Sequence, residues 1–241
     1  MARHHRAPFV ALVQLLRRHH PELDEPATAI VDGVVVVDGR TITNPAARVR
    51  KDASVRIVAS RPLRGEAKLG AAVDAFALDV AAAVAVDIGA AAGGFTTELL
   101  RRGAARVYAV DVGHGQLRGS LRADARVVNL ERTNVSQLDS DIIQEVVDIV
   151  TMDLSYLSIT DALPALEALQ FAPDAKLIAL VKPTFELASS SVITDPGRVR
   201  DAIRRAVGSI ESSAWTAVAC TLPAVTGAGG AVEAIVLATR K

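Results

Sequence analysis

From residue 83 onward the chain alternates short, almost wholly apolar runs with longer segments in which apolar residues recur at helical spacing. The runs predict strands over 83–88, 106–112, 125–130, 146–152, 176–181, 215–222 and 231–239. Helices are predicted near 67–76, 95–102, 116–122, 157–170 and 196–212. Regular alternation of the two predicts an α/β fold with a mostly parallel sheet covered on both faces. Residues 223–230, between the last two strands, leave no room for a crossover helix, so those strands are expected to form an antiparallel final hairpin.

The first sixty residues follow a different pattern. Phe9, Val10, Val13 and Leu16 recur at helical spacing and predict a helix over 8–18, with a second, shorter helix over 26–31. An apolar hairpin follows: Val34-Val-Val-Val37, the favoured turn pair Asp38-Gly39, then Arg40-Thr-Ile-Thr43. Two further basic strands, 48–51 and 55–58, complete a small α+β domain expected over 1–60, ahead of the α/β domain over 61–241.

Composition narrows the setting. Half the residues are apolar, enough for a sizeable core, and the single Cys220 rules out a disulfide framework within the chain and argues against a Cys-rich metal site. A reducing cytoplasm is the expected location, and no apolar stretch approaches the ~20 residues needed to span a bilayer. Residues 1–21 lack acids and include a short apolar run, but Arg17-Arg18-His19-His20 and the absence of a small-residue cleavage site read them as part of the fold rather than a targeting signal. The net charge is zero, yet residues 1–68 carry 12 Lys and Arg against 7 Asp and Glu, an asymmetry expected of a front end that meets phosphate or of an ordinary solvated face.

The most informative string is Val84-Ala-Val-Asp-Ile-Gly-Ala-Ala-Ala-Gly-Gly-Phe95, a strand that delivers an acid and three glycines to the start of a helix. Such turns let backbone amides approach a ligand at the carboxyl edge of a parallel sheet. Asp111 ends the next strand 24 positions on, well placed for the two ribose hydroxyls of an adenosine. The spacing Gly89-x-x-x-Gly93-Gly94 is not the dinucleotide G-x-G-x-x-G, and no Lys follows to make a P-loop. The pattern acid-x-Gly-x-x-x-Gly-x-Phe instead resembles the first motif of Rossmann-like class I methyltransferases, which bind S-adenosylmethionine.

Four charged residues stand at the edges of the predicted elements: Lys68, Asp153, Lys182 and Glu233. Asp153 and Lys182 each end a parallel strand, and Pro183 forces extended geometry on Lys182, so both belong beside the glycine turn. Each alone is equally readable as a solvated strand cap. Together they resemble the K-D-K-E tetrad of FtsJ-like ribose 2′-O-methyltransferases. The strings Asp87-Ile-Gly-Ala-Ala-Ala-Gly-Gly-Phe95, Leu130-Glu-Arg-Thr-Asn134 and Leu180-Val-Lys-Pro-Thr-Phe-Glu186 are similar to the hemolysin-A-type ribosomal RNA methyltransferases, which carry an amino-terminal S4 RNA-binding domain. The front end is similar to a worn S4 module.

That resemblance implies in-line attack of a ribose 2′ hydroxyl on the cofactor methyl without a metal, on RNA, ribosomal RNA or ribosomal subunits being the expected partner, and no membrane. It implies that Lys182 touches the hydroxyl, that Asp153 and Glu233 orient the two lysines, and that Lys68 helps hold the substrate. On the cofactor side it implies Asp87, Gly89, Gly93, Gly94, Phe95 and Asp153 around the methionine and ribose, Asp111 on the ribose hydroxyls and Asn134 at the adenine edge, although an Asn there also fits a turn cap.

Departures from the family pattern lie on the RNA side. Leu63-Arg-Gly-Glu-Ala-Lys68 replaces a serine-arginine-glycine-glycine segment, placing the acid Glu66 beside the expected phosphate path. A glycine-rich loop is replaced by residues 187–193, a Gly-Asn by Gly230-Ala231 and a Tyr by His114. Three functions remain open on sequence grounds: an active RNA 2′-O-methyltransferase, a catalytically weak RNA- or ribosome-binding relative, and a methyltransferase acting on a small molecule or protein.

Overall fold

The computed structural model describes residues 9–58 and 62–241. In chain order the first elements are β1 (Phe9–Ala11), α1 (Leu12–His19), α2 (Pro26–Val31), β2 (Val35–Val37), β3 (Arg40–Thr41), β4 (Arg48–Arg50) and β5 (Val55–Ile57). Next come α3 (Arg64–Ala75), β6 (Val84–Ile88), α4 (Gly94–Arg101), β7 (Arg106–Asp111), α5 (Gly119–Ala123), β8 (Val127–Glu131) and β9 (Val147–Met152). The last are α6 (Ile159–Ala162), β10 (Phe171–Val181), α7 (Pro183–Glu186), α8 (Pro196–Glu211), β11 (Trp215–Thr221) and β12 (Ala234–Arg240). Two compact units emerge, one built from residues up to 61 together with Arg118–Asp124, the other from the remainder.

The first unit packs Leu12, Leu15, Leu16, Ile30, Val35 and Val37 into its own core. β2 pairs antiparallel with β3 and β5, and the β2–β3 turn has positive φ at both Asp38 and Gly39, the mirror-image geometry that the Asp-Gly pair favours. The helix expected over 8–18 is shorter. Phe9–Ala11 are extended and pair antiparallel with Arg48–Arg50, so the helix begins at Leu12; Pro8 lies outside the described residues. Pairing with a distant strand, which periodicity cannot report, outcompetes the helical spacing of Phe9 and Val10.

The second unit is a seven-stranded sheet of order β11-β12-β10-β9-β6-β7-β8. β10, β9, β6, β7 and β8 run parallel, whereas β12 is antiparallel to both β10 and β11. The central strands are buried on both faces, which is why they read as continuous apolar runs. The chain winds outward from β6 to β8 and then returns to place β9 on the other side of β6. The reversal opens a crevice at the carboxyl ends of β6, β7 and β9, where ligands bind in such sheets.

Two further departures have local causes. The helix expected over 157–170 stops at Ala162 and continues as a 3₁₀ segment, Leu163–Ala168, with Pro164 in its first turn. β10 starts at Phe171, five residues before its expected start at 176, with an irregularity before Lys176; the Phe171 ring stands edge-on to Trp215 at 5.1 Å. α8 behaves as its sequence dictates: Asp195 caps it by accepting from Arg198 N at 2.8 Å, Pro196 opens it, and Val199, Ala202, Ala206 and Ile210 form its buried face.

Candidate active site

The glycine turn after β6 is shaped by close backbone approach. Gly89 has φ +86°, and a Cβ there would sit 2.4 Å from the Asp153 carbonyl oxygen at the end of neighbouring β9. Gly93, at φ +94°, is the residue from which α4 begins. A Cβ on Gly94 would come within 2.9 Å of the Gly65 Cα, so α3 and α4 touch through bare backbone. Ala91 holds φ 46°, a strained value for a residue with a side chain, and donates its N–H to Asp111 Oδ2 at 2.9 Å.

Two cavities open on either side of this turn and share Gly89, Ala91 and Asp153 as walls. The first, about 300 Å³, is completed mainly by Arg64, Gly65, Gly94 and Phe95. The second, about 290 Å³, is completed by Asp111, Val112, Gly113, Gln116, Ser155 and Tyr156. Together they match the size of a small-ligand site, and small residues line the turn between them. Each Asp111 oxygen accepts one amide, Oδ2 from Ala91 and Oδ1 from Gly113 at 2.6 Å. A carboxylate has about four acceptor positions, so capacity remains for a pair of hydroxyls.

The four tetrad residues form two ion pairs. Lys68 Nζ lies 2.5 Å from Glu233 Oε2, and each residue is 5% exposed. Lys182 Nζ lies 2.5 Å from Asp153 Oδ1 and donates a hydrogen bond to Ser155 Oγ at 2.7 Å. Asp153 Oδ1 meets the ammonium by distance but without hydrogen-bond geometry, so Ser155 fixes the direction of the ammonium. Gly227 leaves room for the Glu233 carboxylate, since a Cβ there would fall 2.3 Å from Glu233 Oε1.

The other expected site residues have more structural surroundings. Asp87 is fully buried and accepts from Thr96 Oγ1 at 2.6 Å and Thr151 Oγ1 at 2.9 Å. Burial pushes its carboxyl up to about 6 against the pull of both hydroxyls, with the charge on Asp153 adding to the rise. Asp87 and Gly93 stand outside the walls of these two cavities and shape the turn between them. Asn134 Oδ1 accepts from Ser136 N and caps a short 3₁₀ turn, Val135–Gln137, and Asn134 does not line the second cavity. Glu66, the acid that departs from the family pattern, has a local partner: its Oε1 accepts from Leu63 N at 2.8 Å and caps α3.

Three contributors were missed in the sequence. Ser155 carried no signal of its own. Glu186, in the quoted Lys182–Glu186 string, is buried and braces α7 against α6 by accepting from Ile159 N at 2.5 Å and Thr160 Oγ1 at 3.1 Å; burial pushes its carboxyl upward. Glu131 did carry a signal, since it ends a strand opposite Asp111.

A mostly parallel sheet with antiparallel last strands, a glycine turn after the central strand and an acid after the next make a Rossmann-like fold, and the family match over it makes the chain a methyltransferase of the class that uses S-adenosylmethionine. The chain belongs to the FtsJ-like methyltransferase family, whose profile matches residues 62–240. It is 37% identical over 230 residues to the 16S/23S rRNA (cytidine-2′-O)-methyltransferase TlyA of Mycobacterium tuberculosis, covering 91% of this chain and 85% of that one. Hemolysin A of Brachyspira hyodysenteriae is 33% identical, with 85% and 88% covered. A solved structure named as a hemolysin from Lactococcus lactis superposes with a TM-score of 0.70 at 31% identity, covering 74% of this chain and 88% of the other.

Proposed function

We propose that the chain methylates a ribose 2′ hydroxyl of ribosomal RNA, the reaction for which its Mycobacterium relative is named. The observation that carries this reading is the Lys182–Asp153–Ser155 cluster at the sheet edge, where Asp153 also walls both cavities. S-adenosylmethionine, when bound, supplies a methyl group on a positively charged sulfur. Asp111 would receive its ribose hydroxyls, and the walls formed by Gly89, Gly94, Phe95 and Asp153 would receive its amino acid end.

Lys182 then acts on the acceptor. Its ammonium, held by Asp153 and Ser155, donates to the attacking oxygen and fixes its line of approach, so position and charge supply the catalysis. As the oxygen–carbon bond formed, the methyl–sulfur bond would break to leave neutral S-adenosylhomocysteine, and the hydroxyl proton would pass to solvent water. Lys68, anchored by Glu233, holds the substrate in place. Residues 1–60 serve as an S4-like RNA-binding domain, a role supported by exposed Arg40, Arg48, Arg50 and Arg56 on short strands. The cytoplasm, where ribosomes and reduced thiols coexist, is the proposed location; among the described residues no helix is long and apolar enough to cross a membrane.

Purified protein given radiolabelled methyl donor and ribosomal subunits is expected to label RNA, and Lys182→Ala to reduce labelling by at least about 100-fold. Unchanged labelling in that variant overturns the proposed site. Salt-sensitive RNA binding without labelling by the parent overturns the enzyme reading in favour of a binding protein.

A further inference from the structure

Glu131 stands at the end of the edge strand β8, directly beside Asp111 in the parallel register of β7 and β8. Two adjacent carboxylates would repel each other if left bare. Instead, each is satisfied by main-chain donors. Asp111 takes the amides of Ala91 and Gly113, while Glu131 Oε1 takes those of Gln116 at 2.8 Å and Leu117 at 3.2 Å. Asn129 Nδ2 approaches Glu131 Oε2 at 3.4 Å, and His114 Nδ1 lies 3.6 Å from the same oxygen.

The segment held in this way, Val112 to Leu117, has no helix or strand of its own, yet Val112, Gly113 and Gln116 form one wall of the second cavity. Gln116 in turn lies so tightly over Gly113 that a Cβ there would meet its Nε2 at 1.9 Å. We infer that Glu131 is a positioning residue for the cofactor: it staples the loop after β7 into the shape that receives the adenosine end, without touching the cofactor itself. The inference rests on the S-adenosylmethionine reading of that cavity.

Charge supports the same conclusion. Burial raises the Glu131 carboxyl, but the amides of Leu117, Gln116 and Gly115 outweigh it and hold the group down at about 2. The carboxylate therefore stays ionised at any working pH, and its bonds to the loop are charge-assisted.

The test compares the parent with Glu131→Gln and Glu131→Ala. Affinity for S-adenosylhomocysteine is measured by calorimetry, KM for the methyl donor and kcat by RNA labelling, and protection of amides 115–117 by hydrogen exchange without cofactor. Exchanging charge-assisted bonds for neutral ones is expected to weaken binding about tenfold in the Gln variant, and more in the Ala variant. KM should rise in step while kcat at saturating donor stays within about twofold, and the three amides should lose protection. Because Gln keeps the shape of Glu, exchange protection in the strands of the sheet should match the parent even though the unfolding midpoint falls by a few degrees, which separates a loop effect from general damage. A parent that binds S-adenosylhomocysteine while both variants bind it equally well overturns the staple alone. A parent that binds none overturns the cofactor reading with it, and a kcat loss with unchanged KM assigns Glu131 elsewhere.

Discussion

Asp87 brings a carboxyl into a fully buried position between β6 and its neighbours, and its main compensation is two threonine hydroxyls. Folding raises its pKa from 3.8 to about 6, so the folded chain holds that proton where the unfolded chain has released it. Its contribution to stability is full below about pH 4, declines as pH rises through about 6 and is flat beyond. A rise of that size is worth about 3 kcal/mol. Denaturant unfolding should therefore show the parent losing about 3 kcal/mol relative to Asp87→Asn between acid and neutral pH, and an identical pH profile for the two would contradict the burial argument. Single residues were unevenly legible in the sequence. Asp111 could be placed because an acid at a strand end needs no partner to be noticed. The surroundings of Asp87 depend on Thr96 and Thr151, which only the fold brings together. Glu66 read as a charge facing RNA, yet it spends one oxygen on the first turn of α3.

Lys68 lies on α3 and Glu233 just before β12, so their buried pair ties two elements 165 positions apart. Removing one partner leaves an uncompensated charge in the interior. Glu233→Gln is expected to cost about 3–5 kcal/mol in unfolding free energy, whereas the double change Lys68→Met with Glu233→Leu should recover most of it. Methyl transfer should not return with stability, since the proposed role of Lys68 needs its ammonium; an active double variant would remove that residue from the mechanism. Elements were legible where one signal dominated. The parallel strands and α8 follow from apolar runs and a capped amphipathic pattern. The opening strand β1 was hidden because its partner β4 lies 37 or more residues away, and the long helix after β9 was overdrawn because Pro164 tightens the chain into 3₁₀ geometry.

At the scale of the molecule, each unit has its own core, and the chemistry proposed for each is separable. Changing Arg48 and Arg56 together to Glu is expected to weaken RNA binding and flatten its dependence on salt, while calorimetry shows S-adenosylhomocysteine binding unchanged. Equal loss of both would mean that the substitutions had damaged more than a phosphate-binding surface. The change of pattern near residue 60 was visible because a basic α+β segment gives way to strand–helix alternation, but the return of Arg118–Asp124 to the first unit left no trace in local sequence. The contact between Gly65 and Gly94 sets a harder limit. A methyl group at Gly94 would fall 2.9 Å from the Gly65 Cα and act as a wedge between α3 and α4 beside the first cavity, whereas one at Gly65 would meet the Gly94 Cα at 3.2 Å and ask for a smaller shift. The spacing of the two helices thus depends on a hydrogen atom standing where a side chain would begin, and a library that randomises both codons should yield methyl-transferring survivors that keep glycine at 94 more strictly than at 65.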